Sequence, residues 1–178
     1  MVEPITYETD VTTLSEAEEL YIFDLPPDLK RLREIIKATK PINIHACYIL
    51  ENSMYLKAFP TREEFKWFYA FIYKRRSVDL KREMKVIMDA KGWNKDHILF
   101  IANVFFELEF VKIDNGMIEI NANPVKKDLQ DSKFYQERLI QADIEKVLYY
   151  SNYQELKQWF SKSMDHLSNH EEERANGL

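Results

Sequence analysis

The sequence predicts an α+β fold, and three stretches carry that reading. Residues 94–121, NKDHILFIANVFFELEFVKIDNGMIEIN, keep helical apolar spacing as far as Leu108 and then switch to strict alternation. Residues 61–76, TREEFKWFYAFIYKRR, open on Thr61 with Glu64 three residues later, a pair able to satisfy two orphan amides reciprocally. Residues 21–59 alternate short β-rich runs with one amphipathic helix. Together these predict a small α/β unit, a winged-helix-like unit and C-terminal helices. The predicted boundaries are a linker or leader at 1–20, the α/β unit at 21–59, the winged-helix-like unit at 60–123, helices at 124–162 and a disordered tail at 163–178.

The chain's first twenty residues are acidic and Thr-rich with no apolar period, so they read as a linker. A strand is expected at Tyr21-Ile22-Phe23, ended by Asp24 and the Pro26-Pro27 pair. Asp28 is placed to cap a helix whose inner face is Leu29, Leu32, Ile35 and Ile36. Residues 42–50 are nearly continuous in β-formers, as in a strand covered on both faces, with a right-handed crossover pairing it in parallel with the strand at Tyr21. Cys47 and His45 within that run are expected in the core. Residues 54–59 are expected to return as an antiparallel strand.

The helix from Thr61 carries two aromatic stripes: Phe65, Phe68, Tyr69 and Ile72 on one side, Trp67 and Phe71 on another. Ser77-Val78 is a short extended break. Asp79 caps a further helix facing inward through Leu80, Met84, Ile87 and Met88, and Gly92 ends it as a left-handed C-cap. Asn94 caps the next helix. Asp114-Asn115-Gly116 then supplies a hairpin turn between Val111/Ile113 and Ile118/Ile120. Three helices followed by a hairpin within about sixty residues is winged-helix order. After a loop holding Pro124, Lys126 and Lys127, residues 133–150 and 152–161 read as helices that must pack back on the rest.

Charge is unevenly spread. The net −5 of the 178 residues conceals a +6 block at 57–95, flanked by −5 at 1–56 and −6 at 96–178. Such a block attracts acidic peptide or nucleic acid through its long-range field. Its cations Lys74, Arg75, Arg76, Lys81, Arg82 and Lys85 gather around one inter-helix turn, with Trp67 and Phe71 as aromatic neighbours. This pattern suits a peptide with acidic residues and an apolar end, or single-stranded DNA whose bases stack. The alternative is that Trp67 and Phe71 pack against the α/β unit and the cations are merely solvated. Base reading by the helix at Asn94 is disfavoured, because Phe106, Glu107 and Glu109 occupy positions where phosphates would lie.

Catalytic patterns are missing. The three glycines are isolated, so no phosphate loop exists. His166 and His170 have i, i+4 spacing but lack a third ligand and an apolar shell. No acidic cluster suits a two-metal centre, and Cys47 has no evident base. The single cysteine excludes an internal disulfide and fits a reducing cytoplasm; no apolar run spans a membrane and no signal peptide is evident.

The runs FPTREEFKWFYAFIYKR, KGWNKDHILFIANVFFELEFVKIDNGMIEIN, NPVKKDLQDSKFYQ and LYYSNYQELKQWF resemble the C-terminal domain of RecJ, the bacterial single-strand-DNA-specific exonuclease, in its low-GC Gram-positive form. The resemblance covers roughly residues 21–160. It implies a fragment of a 5′ to 3′ exonuclease of recombination and repair whose Mn²⁺ or Mg²⁺ ligands lie in upstream domains. No catalytic residue and no cofactor site are therefore expected in these residues. The implied role is non-catalytic: recruiting or positioning the nuclease through the acidic, apolar-ended tail of single-strand-binding protein. Implied partners are that tail and the upstream catalytic core, with single-stranded DNA binding or a purely bracing role as alternatives.

Overall fold

The structure is a computed structural model describing residues 3–57 and 59–165. It is α+β, and its chain divides into two compact units. One comprises the described residues up to Leu56 and from Ile140 onward; the other is Lys57–Leu139.

In the first unit, strands β1 (Glu19–Ile22) and β2 (Asn43–Ala46) pair in parallel, Leu20 opposite Ile44 and Ile22 opposite Ala46. Helix α1 (Leu29–Thr39) connects them. It starts at Asp28, whose carboxylate accepts the Arg31 amide at 2.7 Å, and stops at Lys40 in the left-handed region, φ 43°. Leu20, Ile22, Leu32 and Ile36 form a core with Ile144, Leu148 and Phe160. The last three come from the end of α5 (Lys133–Leu148) and from α6 (Tyr153–Asp165), so these helices close the hydrophobic face that two strands and one helix leave open.

Several expectations for this unit are corrected. The apolar run 42–50 yields only a four-residue strand. Ile42, Cys47 and Ile49 fall outside that strand and are exposed, Ile42 and Ile49 at 75% and 86%. His45 is half-exposed too; it stacks on Tyr21 with ring centroids 4.3 Å apart, and its Nε2 meets the Glu19 carboxylate. Residues 54–57 form no strand. Instead the carboxylate of Glu145, itself 0% exposed, accepts Ser53 Oγ at 2.8 Å, the Tyr55 amide at 2.9 Å and Gln141 Nε2 at 3.1 Å. The supposed linker is tied to the unit at Tyr7 and Thr9: the Tyr7 hydroxyl donates to the Asp24 carbonyl, and Arg31 donates to the carbonyls of Tyr7 and Thr9. At the other end α6 runs on to Asp165 and buries Ser163; residues 166–178, with His166 and His170, lie outside the described residues.

The second unit runs α2 (Arg62–Arg75), β3 (Ser77–Asp79), α3 (Leu80–Lys91), α4 (Lys95–Glu107), β4 (Val111–Asp114) and β5 (Met117–Ile120). The capping box forms, with the Thr61 amide 2.7 Å from Glu64 Oε2 and the Glu64 amide 3.3 Å from Thr61 Oγ1. Asp79, Gly92 (φ 68°) and Asn94 also act as expected. Ser77-Val78 does more than break a helix. It pairs antiparallel with β5, Val78 opposite Ile118, giving a sheet of order β3-β5-β4. Asn115 and Gly116, at φ 48° and 89°, turn the hairpin with the right twist. Phe65, Phe68, Ile72, Ile87, Ile98, Ile101, Phe105 and Ile118 make the core.

The acidic end of α4 is structural. Glu107 accepts Ser132 Oγ at 2.5 Å and the amides of Lys133 and Phe134 at 3.1 and 3.0 Å, so a side chain from one helix caps the start of α5. These hydrogen bonds, Ser132's foremost, hold the Glu107 carboxyl below its ordinary range.

Candidate binding surface

Four of the eight residues singled out from sequence meet on α2. Trp67, Phe71, Lys74 and Arg75 line one open groove of about 570 Å³, together with Tyr69, Ala70 and Tyr73. Their placement follows from helical geometry: 67, 71, 74 and 75 recur at three- and four-residue intervals and so share a face. Trp67 stacks on Phe71 at 5.3 Å and meets Trp93 edge-on at 5.2 Å. The Arg75 guanidinium lies 3.9 Å from the Phe71 ring centre, and the Lys91 ammonium 4.6 Å from that of Trp67. Cation–aromatic pairs of this kind hold the charges over the rings without neutralising them.

The other four are placed differently. Arg76 is the C-cap of α2 at φ 65°, with its guanidinium 5.0 Å from the Tyr73 ring centre and its carbonyl accepting the Ile120 amide at 3.0 Å. Lys81 lies over the hairpin turn at Gly116. Arg82 pairs with Asp79 at 3.3 Å. Lys85 is exposed one turn further along α3. None of Arg76, Lys81, Arg82 and Lys85 lines the groove. Among the described residues, Lys74, Arg75, Arg76 and Lys85 have no acidic partner within ion-pair distance, so their field reaches solvent.

Sequence reasoning passed over Lys91 and Trp93, which flank Gly92 and complete the aromatic cluster; the signal was a cation and an indole on either side of a helix stop. It also passed over a second cavity of about 470 Å³, whose lining includes Phe65, Tyr69, Phe105, Phe110, Val125 and Lys126. The legible trace of that cavity was the run Pro124-Val125-Lys126-Lys127, an apolar residue and two cations left unexplained after the hairpin.

Among the described residues no three His, Cys, Asp or Glu side chains gather where a metal ion could be held. No helix among them is long and apolar enough to cross a membrane.

Residues 3–160 match the family model described as the single-strand DNA-specific exonuclease, C-terminal domain, and the chain belongs to that family. It is similar to the single-stranded-DNA-specific exonuclease RecJ of Bacillus subtilis (strain 168), with 32% identity over 183 residues. The alignment takes in 90% of this chain and 23% of that protein, so the chain spans about a quarter of the length of the curated relative it matches. No solved structure matches.

Proposed function

We propose that this chain is a non-catalytic accessory domain of a RecJ-like 5′ to 3′ single-strand-DNA exonuclease of recombination and repair, acting in the cytoplasm. Its task is to recruit or position the nuclease by gripping an acidic, apolar-ended peptide, for which the tail of single-strand-binding protein is the fitting partner. In this reading the chemistry and its Mn²⁺ or Mg²⁺ belong to an upstream catalytic core, against which the domain is carried. The element order α2, β3, α3, α4, β4, β5 supports taking the second unit as a winged-helix-like module adapted to protein contact rather than base reading.

The observation that carries the proposal is the α2 groove, where unneutralised cations stand beside stacked aromatic rings. An acidic peptide supplies the missing counter-charges, and its apolar end supplies area to bury. The test is fluorescence anisotropy of a labelled acidic peptide ending in phenylalanine, titrated with the 178-residue chain. Binding in the micromolar range is expected, with loss on the double substitution Arg75→Glu, Arg76→Glu. Titration unchanged in that variant overturns the assignment.

A second reading, direct binding of single-stranded DNA, is favoured by the Trp67–Phe71 stack, against which a base would lie in place of the Arg75 or Lys91 side chain. It predicts steep salt dependence and loss on Trp67→Ala and Phe71→Ala. An oligonucleotide that produces no shift at low salt removes it.

A further inference from the structure

The two cavities of the second unit share one lining side chain. Tyr69 lines the α2 groove and also the second cavity. On one side it meets Phe105 and Phe110 edge-on, with centroids 5.7 and 6.2 Å away; on the other it stacks on Tyr73 at 6.2 Å. Tyr69 thus carries aromatic contacts toward both cavities.

The two ends differ in chemistry. The second cavity has an apolar floor in Phe65 and Phe105, each 3% exposed, and an apolar lip in Val125, which is 67% exposed. Most of its cations are already matched: Arg62 with Asp128 at 2.9 Å, Lys66 with Glu63 at 2.7 Å and Lys127 with Glu109 at 3.3 Å. Lys126 has no acidic partner among the described residues. At the far end Lys74 and Arg75 are likewise unmatched. Unbalanced charge thus marks both ends of a path whose middle is aromatic.

Helical geometry sets the length of the path. Phe65 and Lys74 are nine positions apart on α2, about 14 Å along the axis and half a turn around it. Following the surface of a helix about 10–12 Å across lengthens the path to roughly 20 Å, which an extended peptide covers in about six residues.

We propose that the two cavities form one receptor for a single extended peptide. An aromatic or large aliphatic anchor seats in the cavity floored by Phe65 and Phe105, with a carboxylate beside it on Lys126. Acidic side chains about six residues away lie against Lys74 and Arg75. This rests on the reading that the domain binds an acidic, apolar-ended peptide, and adds where each part of that peptide goes and what spacing it must have.

The experiment titrates the 178-residue chain against two labelled ten-residue peptides, one with a terminal phenylalanine and four upstream acidic residues, the other with that phenylalanine replaced by alanine. Val125→Asp and Lys126→Glu probe the cavity; both positions are exposed, so both variants keep the fold, which circular dichroism verifies. On the unaltered chain the alanine peptide binds at least tenfold more weakly. On Val125→Asp the phenylalanine peptide falls to that weaker level, so the anchor no longer matters. Lys126→Glu weakens both peptides, and Arg75→Glu weakens both while preserving the tenfold ratio between them. If the unaltered chain binds the phenylalanine peptide and Val125→Asp binds it equally well, the joined receptor is wrong although the peptide-binding function stands. If the unaltered chain binds neither peptide at low salt, both fall.

Discussion

Glu145 offers the sharpest test of how the first unit is held. Its carboxylate accepts from Ser53 Oγ, the Tyr55 amide and Gln141 Nε2, and is 0% exposed. Hydrogen bonds to a charged acceptor contribute roughly 1.5–3 kcal/mol each when the partner is deleted. Tyr55 is exposed and Ser53 and Gln141 half-buried, so their freed donors recover water in part. Glu145→Ala should then cost about 3–4 kcal/mol rather than the full total. Glu145→Gln should cost only ~1–2 kcal/mol, because one amide oxygen still serves Ser53 and Tyr55 while Gln141 reverses its own amide. Urea unfolding followed by circular dichroism measures both, and hydrogen exchange at the Tyr55 amide localises the effect. The pH dependence adds a second check. Burial pushes the Glu145 carboxyl up, but the hydrogen bonds from Tyr55, Ser53 and Gln141 outweigh it and hold the folded value below the ordinary 4.5. The carboxylate's contribution is therefore present above the unfolded value and is lost as pH falls through the folded one. The gap between the unaltered chain and Glu145→Gln should close in acid. A Glu145→Ala cost under 1 kcal/mol, or a gap unchanged between neutral and strongly acidic pH, refutes the account.

Glu107→Ala removes one side-chain cap of α5, leaving Ser132 Oγ on the Tyr135 amide, and should destabilise by about 1 kcal/mol, a value kept modest because the carboxylate is exposed and screened; urea unfolding reads it. Gly116→Ala should cost ~1–2 kcal/mol from positive φ alone. A Cβ there would also meet Lys81 Cε at 3.3 Å, whereas one at Gly92 meets nothing within 4 Å. Shortening Lys81 to alanine should accordingly relieve part of the Gly116→Ala loss and none of the Gly92→Ala loss in thermal melts. Cys47, being exposed, should react stoichiometrically with a thiol reagent in the absence of denaturant; protection until unfolding would place it back in the core.

Much of the second unit was legible because its signals are local. A cap needs only an acceptor two or three residues from an orphan amide, so Thr61, Asp79 and Asn94 could be read without knowing what the helices touch. Positive φ in a tight turn likewise depends on its own residues, and Asn115-Gly116 declared itself. What lies across the chain could not be read so. The apolar run at 42–50 looked doubly covered, yet coverage depends on how many strands pair and which helices return, and a two-stranded sheet leaves one face wet. The Glu145 contacts with Ser53 and Tyr55 join residues about ninety positions apart, and no local pattern marks a glutamate for that role. The basic, aromatic composition of residues 57–95 was determined by sequence alone, as was family membership through its distinctive runs. The spacing of Trp67, Phe71, Lys74 and Arg75 already put them on one helix face; only the tertiary structure decided that this face opens as a groove while Lys81 lies over the hairpin turn. Side-chain direction is set by the neighbours each residue packs against, and those neighbours come from distant parts of the chain.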